Sequence, residues 1–302
     1  MAEPRFIYVP DYYCDIGEHV FRTEKYELLY RRLLEEGLIR PEQVLRPERA
    51  TRAQLELVHT PQYVDDLLSG AQTQRTRSSE MPISPDIIDS FVLGAGGSIL
   101  ASRSAIRKHT AAMSLAGGFH HAFPDWAEGF CYINDVAVAV RNMQHEGLAE
   151  RPIVVDCDLH QGNGTAYIFR DDPDVFTFSI HQQNLYPIKR RSDCDVGLPD
   201  LCTGEEYLRQ LRTHLLPALR EHEPDFALYV AGADPFEKDL LGSLRLTIDD
   251  LRARDDLVLE AFVERDMPFA AVLAGGYAED VNDTVQIHYG TACSLIEHSR
   301  QL

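Results

Sequence analysis

Residues 153–164 read IVVDCDLHQGNG, an apolar run that passes directly into acidic and imidazole side chains. Ile153, Val154 and Val155 make a nearly continuous apolar run, as expected of a strand buried on both faces of a parallel sheet. Asp156, Asp158 and His160 follow directly. Their spacing of two places all three on one face if the backbone stays extended. In open parallel sheets, ligands bind beyond the carboxyl ends of the strands, so a buried strand that runs into reactive polar residues points to a site at that edge.

Four more runs repeat the pattern. Ala111–Ala116 leads into Gly117-Gly118-Phe119-His120-His121, and Val175–Ile180 leads into His181. Phe226–Ala231 leads into Gly232-Ala233-Asp234, and Phe269–Ala274 into Gly275-Gly276-Tyr277. Segments of helical character lie between them. Tyr132–Glu146 has apolar residues at helical spacing. Glu205–Glu221 follows Thr203 and Gly204 and contains Pro217, a position expected to kink a helix. Thr247–Arg265 opens on a T-x-x-D cap, and Thr60-Pro61 reads as an N-cap followed by proline. Alternating strands and helices predict an α/β domain with a parallel sheet flanked by helices. The polar, proline-bounded stretch Gln72–Pro85 reads as a surface loop, so residues 1–302 are expected to form a single domain.

Composition narrows the function. The net charge is −19, a poor match to nucleic acid, which needs a cationic footprint. It suits a cationic peptide or amine, although acidic surfaces also serve plain solubility. No apolar run reaches a membrane span, and MAEPRFIYVPDYYCD lacks the character of a signal peptide. The six cysteines form no C-x-x-C pair and read as free thiols. The expected location is the cytoplasm, with no membrane partner.

Three elements carry chemistry. Asp158 and His160, with Asp234 from another strand end, offer three ligands and an open position, the form of a catalytic zinc site. Two carboxylates and one imidazole are also hard enough for Fe²⁺. A D-x-H pattern alone is more often a capped turn; the company of the other strand ends reverses that reading. His120-His121 after Gly-Gly suits general acid–base catalysis, though alone it reads as a polar loop. Tyr277 after Gly275-Gly276 suits oxyanion stabilisation, though a lone tyrosine is more often core.

The segments GGFHHAFPDWAEGFCYIND (117–135), VVDCDLHQGNG (154–164), FSIH (178–181), AGADPFEKDLLGSL (231–244) and AGGY (274–277) resemble, in order, the histone deacetylase superfamily. HQGNG and AEGFC look most like its class IV branch, in a short stand-alone form of bacterial type. The resemblance implies the arginase–deacetylase α/β fold, with the active site at the carboxyl ends of the strands. It implies Zn²⁺ on Asp158, His160 and Asp234. It assigns His121 as general base and acid, His120 as its electrostatic partner with Asp156 behind it, and Tyr277 as carbonyl polariser. Gly129, Phe130 and Leu241 would line an acyl-lysine channel. Structural K⁺ is implied at Asp156, Asp158, His160, Ser179 and Ile180, with a second ion near Phe169, Asp172 and Val175.

Many relatives carry Asp where this chain has Asn163, the expected partner of His121. A neutral amide stabilises an imidazolium less than a carboxylate does. Activity is therefore expected to begin at lower pH than in an Asn163→Asp variant; equal acidic limbs in the two pH–rate profiles would refute this. A sibling family with two Mn²⁺ reads D-x-H-x-D, and Gly162 here denies the second bridging carboxylate. The expected function is zinc-dependent removal of acetyl or longer acyl groups from the N6-amine of lysine. The alternatives are a small-molecule deacetylase of acetylpolyamine type and a non-catalytic acyl-lysine binding module. The sequence leaves the oligomeric state open.

Overall fold

In a computed structural model that describes residues 3–302, the chain forms one α/β domain around an eight-stranded sheet. The strands are β1 (Arg5–Ile7), β2 (Val44–Leu45), β3 (Ala111–Ser114), β4 (Pro152–Asp156), β5 (Phe176–Gln182), β6 (Cys194–Leu198), β7 (Phe226–Val230) and β8 (Phe269–Val272). Their spatial order is β2-β1-β3-β8-β7-β4-β5-β6, and every pairing is parallel. Every residue of β3, β4, β7 and β8 is buried, which explains their unbroken apolar character: helices cover both faces.

All five apolar runs of the sequence lie on strands. The three other strands stand at or near the sheet edges and carry weaker signals. β1 and β2 are three and two residues long, and β6 places Asp195 and Gly197 on an exposed side.

The anticipated helices form at Asp135–His145, Gly204–His222 and Ile248–Val263. Thr203 and Thr247 cap the latter two through their hydroxyls, Thr247 in a reciprocal box with Asp250. The helix at Gly204–His222 continues through Pro217. Gln72–Pro85 is more than a surface loop. It contains the helical turn Gln74–Arg77 and buries Thr76, Ser79 and Met81. The Ser79 carbonyl accepts from the Phe130 amide at 2.9 Å, and that of Met81 from the Tyr132 hydroxyl at 2.9 Å. This segment thus braces the loop that carries Gly129 and Phe130.

Candidate active site

The carboxyl ends of β3, β4, β7 and β8 are adjacent in the sheet, so the loops after them converge. The loop after β3 is held from behind. The Asp135 carboxylate accepts from the Gly118 and Phe119 amides at 3.0 and 2.6 Å. The Asn134 side chain donates from Nδ2 to the carbonyls of His120 and Ala122 at 3.2 and 3.0 Å. His59, deeply buried, donates from Nδ1 to the Phe123 carbonyl and accepts the backbone N–H of Asn134 at Nε2, both at 3.1 Å. Gly118 lies at φ +87°, and a Cβ there would stand 2.5 Å from the Ala274 Cα. Only glycine lets this loop pass so close to the loop after β8.

Asp158, His160 and Asp234 are buried, and one ligand atom from each lies within 4.8 Å of the others. His160 Nδ1 is 3.3 Å from Asp158 Oδ1 and 3.2 Å from Asp234 Oδ2. β4 ends at Asp156, so these residues do not share a strand face as the two-residue spacing suggested. The backbone turns, and Asp156 is directed to His120 instead, its Oδ2 2.6 Å from His120 Nδ1. Remaining lone pairs are used: Asp158 Oδ2 accepts from the Gly275 amide at 2.8 Å and Asp234 Oδ1 from the Leu159 amide at 3.0 Å.

This donor set fits a divalent cation. Burial, then the nearby Asp158 charge, pushes Asp234 up to about 6. Burial works against a charge on His160, but the two carboxylates overcome it and raise the imidazole to about 10. Two buried anions closing on one imidazole nitrogen hold a positive charge there, and a metal ion answers the same need. Among the described residues no second cluster of this kind occurs. At Gly162 there is no room for another carboxylate, because a Cβ would meet the Asp156 carboxylate and stand 3.2 Å from His120 Nδ1.

Above the cluster a channel of about 190 Å³ is lined by His121, His160, Tyr277, Gly129, Phe130, Leu241, Leu185, Tyr186 and Glu80. It is smaller than the roughly 300–1,000 Å³ of pockets for drug-sized ligands and has the scale of one extended side chain. A larger open hollow of about 490 Å³ follows residues 13–24 and is lined by none of His121, His160 and Tyr277. His121 Nδ1 lies 2.8 Å from Asn163 Oδ1. Burial, then the positive charges of His120 and His160, holds His121 well below the usual imidazole range. For His120, burial is outweighed by Asp156 and Asp158, which raise it to about 9. Tyr277 is raised well above its ordinary value by burial and the Asp234 and Asp158 charges, so its phenol keeps its proton.

The histone deacetylase domain profile matches residues 19–291. The chain belongs to the histone deacetylase family. A protein of Picosynechococcus sp. without an assigned function is 44% identical over 285 residues, covering 93% of this chain and 95% of its own. The probable deacetylase of Archaeoglobus fulgidus is 31% identical (86% and 77% covered), and histone deacetylase 2 of Arabidopsis thaliana 28% (86% and 70%). A crystal structure of an HDAC homolog from Aquifex aeolicus superposes with a TM-score of 0.85 at 24% identity, covering 98% of this chain and 84% of that one. It shares the fold.

Several residues around this channel were not visible in the sequence. Tyr186 and Leu185 lie on the loop beyond β5, and their position depends on its return over the channel. Asp239 accepts from the Tyr277 amide at 2.7 Å and the Leu241 amide at 2.9 Å, linking the channel wall to the loop after β8. Lys25 is buried, donates to the Ala274 carbonyl at 2.8 Å and is lowered to about 8 by burial against the pull of nearby Asp234. His181 is buried beside Ser179, Oγ to Nδ1 2.9 Å, and does not line the channel. Ser179 pairs with Asp156 across β4 and β5, and Ile180 is buried next to it. Phe169, Asp172 and Val175 share the turn before β5, where Asp172 pairs with Arg141.

Proposed function

We propose that the chain is a zinc-dependent hydrolase that removes acetyl or longer acyl groups from the N6-amine of lysine in peptides or proteins. The observation that carries the reading is the narrow channel whose inner end presents His121, His160 and Tyr277 beside the Asp158/His160/Asp234 cluster. Zn²⁺, or Fe²⁺, bound by that cluster supplies Lewis acidity toward the acyl carbonyl and lowers the pKa of water.

The protein's own groups supply the rest. Asn163 Oδ1 takes two donors, the Gly164 amide at 3.0 Å and His121 Nδ1. The proton of His121 is therefore on Nδ1, and Nε2 is a free lone pair able to take a proton from water as it attacks. His120, bonded to Asp156 and protonated near neutral pH, places a positive charge beside that exchange. Tyr277, kept protonated, donates to the developing oxyanion. The proton held by His121 then passes to the departing amine. Gly129, Phe130, Leu241 and Tyr186 sheath the alkyl stem and keep water out.

Structural K⁺ belongs to the same proposal, one ion held at Asp156, Asp158, His160, Ser179 and Ile180, the other at Phe169, Asp172 and Val175. So do the class IV affinity of HQGNG and AEGFC and a reducing, cytoplasmic setting, which six free cysteines suit. No helix among the described residues is long and apolar enough to cross a membrane. One observation favours a second reading. Glu80 lines the channel and is exposed at its mouth, and its carboxylate would attract the distal amine of a small acylated polyamine. A turnover panel of acetyl- and long-acyl-lysine peptides against acetylpolyamines separates the two. Hydrolysis of lysine peptides with higher kcat/KM supports the first; exclusive polyamine turnover selects the second.

A further inference from the structure

Asn163 does not end the chain of contacts behind His121. Its Nδ2 donates to Glu128 Oε1 at 2.7 Å. The other oxygen of Glu128 accepts from Trp126 Nε1 at 3.2 Å. Two side-chain donors, one on each oxygen, thus converge on one half-buried carboxylate. Glu128 is outside the channel lining and outside the cation cluster.

We propose that Glu128 is the anionic member of the relay behind His121, acting through the amide of Asn163. A carboxylate can only accept hydrogen bonds, so Glu128 holds Asn163 with Nδ2 outward and Oδ1 toward His121. Its charge polarises the amide in the direction that steadies positive charge on the imidazole as His121 takes a proton. The carboxylate that this position of the chain lacks at residue 163 is supplied one side chain further back. Glu128 is a positioning residue: it touches neither substrate nor reacting atoms.

The inference rests on the hydrolase reading for its kinetic effect, but the contact can be tested without turnover. The experiment is a charge swap in the metal-loaded protein: Glu128→Gln, Asn163→Asp and the two combined. Glu128→Gln should lower kcat about 10-fold or more with KM within about two-fold, the scale of losing an orienting partner behind a reacting group. Asn163→Asp alone sets two carboxylates against each other across the present 2.7 Å contact and should also lose activity. The combined variant restores one carboxylate facing one amide, with the charge now beside His121, and should exceed both single variants in kcat. A merely structural Glu128 gives losses that add, leaving the combined variant lowest; that result, or an unchanged kcat in Glu128→Gln, overturns the inference. The unfolding midpoint gives the independent readout. Asn163→Asp should lower it and addition of Glu128→Gln should raise it again, whereas additive shifts would overturn the contact. Wild-type protein that turns over no acyl amine would defeat the hydrolase reading, and the midpoint cycle would still decide for or against the Glu128–Asn163 contact.

Discussion

Gly275→Ala is the sharpest single perturbation of the site. Gly275 has an ordinary backbone conformation, so alanine introduces no backbone strain; the whole effect is one methyl group. That Cβ would stand 2.6 Å from Asp234 Cγ and 2.7 Å from Asp158 Oδ2. Carbon contacts are comfortable at about 3.5–4.0 Å, so the Asp234 carboxylate has to withdraw by about 1 Å. The Gly275 amide that donates to Asp158 at 2.8 Å moves with it. A misplacement of about 1 Å at reacting groups costs on the order of 10²-fold. The assay is kcat on an acyl-lysine peptide together with bound metal per chain after dialysis. Gly275→Ala should lose about 10²-fold in kcat and bind metal more weakly. Gly290→Ala is the control: its Cβ meets only Arg252 Cδ at 3.8 Å, within the helix Val281–Ser299. It should keep turnover and gain up to about 1 kcal/mol of stability. A Gly275→Ala protein with a full complement of tightly bound metal and kcat within about two-fold of wild type would refute the assignment of Asp158 and Asp234 as ligands.

Two further predictions concern single side chains. Tyr277→Phe keeps the ring packing but removes the donor, and kcat should fall by about 10²-fold or more with KM little changed; steady-state kinetics that show unchanged turnover would remove Tyr277 from the oxyanion. His59 is deeply buried and lowered to about 4 by burial, against an ordinary 6.5. Below pH 6.5 the unfolded chain therefore binds a proton that the folded chain refuses until about pH 4. Stability should fall through this window as pH drops, by about 2 kcal/mol between pH 7 and pH 5 from this residue. Urea unfolding of His59→Gln at the two pH values should show a pH-dependent loss smaller by that amount; an equal loss would exclude His59 as its source.

Legibility followed burial and distance along the chain. The strands that build the site were readable because they lie inside the sheet and are apolar on both faces, as in Phe226–Val230 and Phe269–Val272. The edge strand Cys194–Leu198 was not, since its exposed Asp195 breaks the pattern. Asp158, His160, Asp234, His121 and Tyr277 were each readable at a strand end; the structure sets His121, His160 and Tyr277 in one channel and clusters Asp158 and Asp234 with His160. Lys25 was hidden by its neighbours: in EKYELLYRRLLE it looks like one more surface charge, yet it is buried against Ala274. Arg254 was hidden in the same way within a charged helix. It is fully buried and donates to the carbonyls of Cys157 and Gly232, close to Asp158 and Asp234. Glu128 was in plain view in AEGFC, but its partner Asn163 is 35 residues away. Local pattern reports what a residue's own segment needs and is silent about a contact made by tertiary folding.

The proposed chemistry needs one divalent ion on Asp158, His160 and Asp234 for amide hydrolysis. Metal titration of chelator-stripped protein measures this requirement, with hydrolysis of an acetyl- or long-acyl-lysine peptide followed at each addition. Turnover should be absent in the stripped protein, rise linearly with Zn²⁺ or Fe²⁺ and saturate at one equivalent per chain. Full activity at a verified metal content of zero, or saturation only at two equivalents, would contradict it.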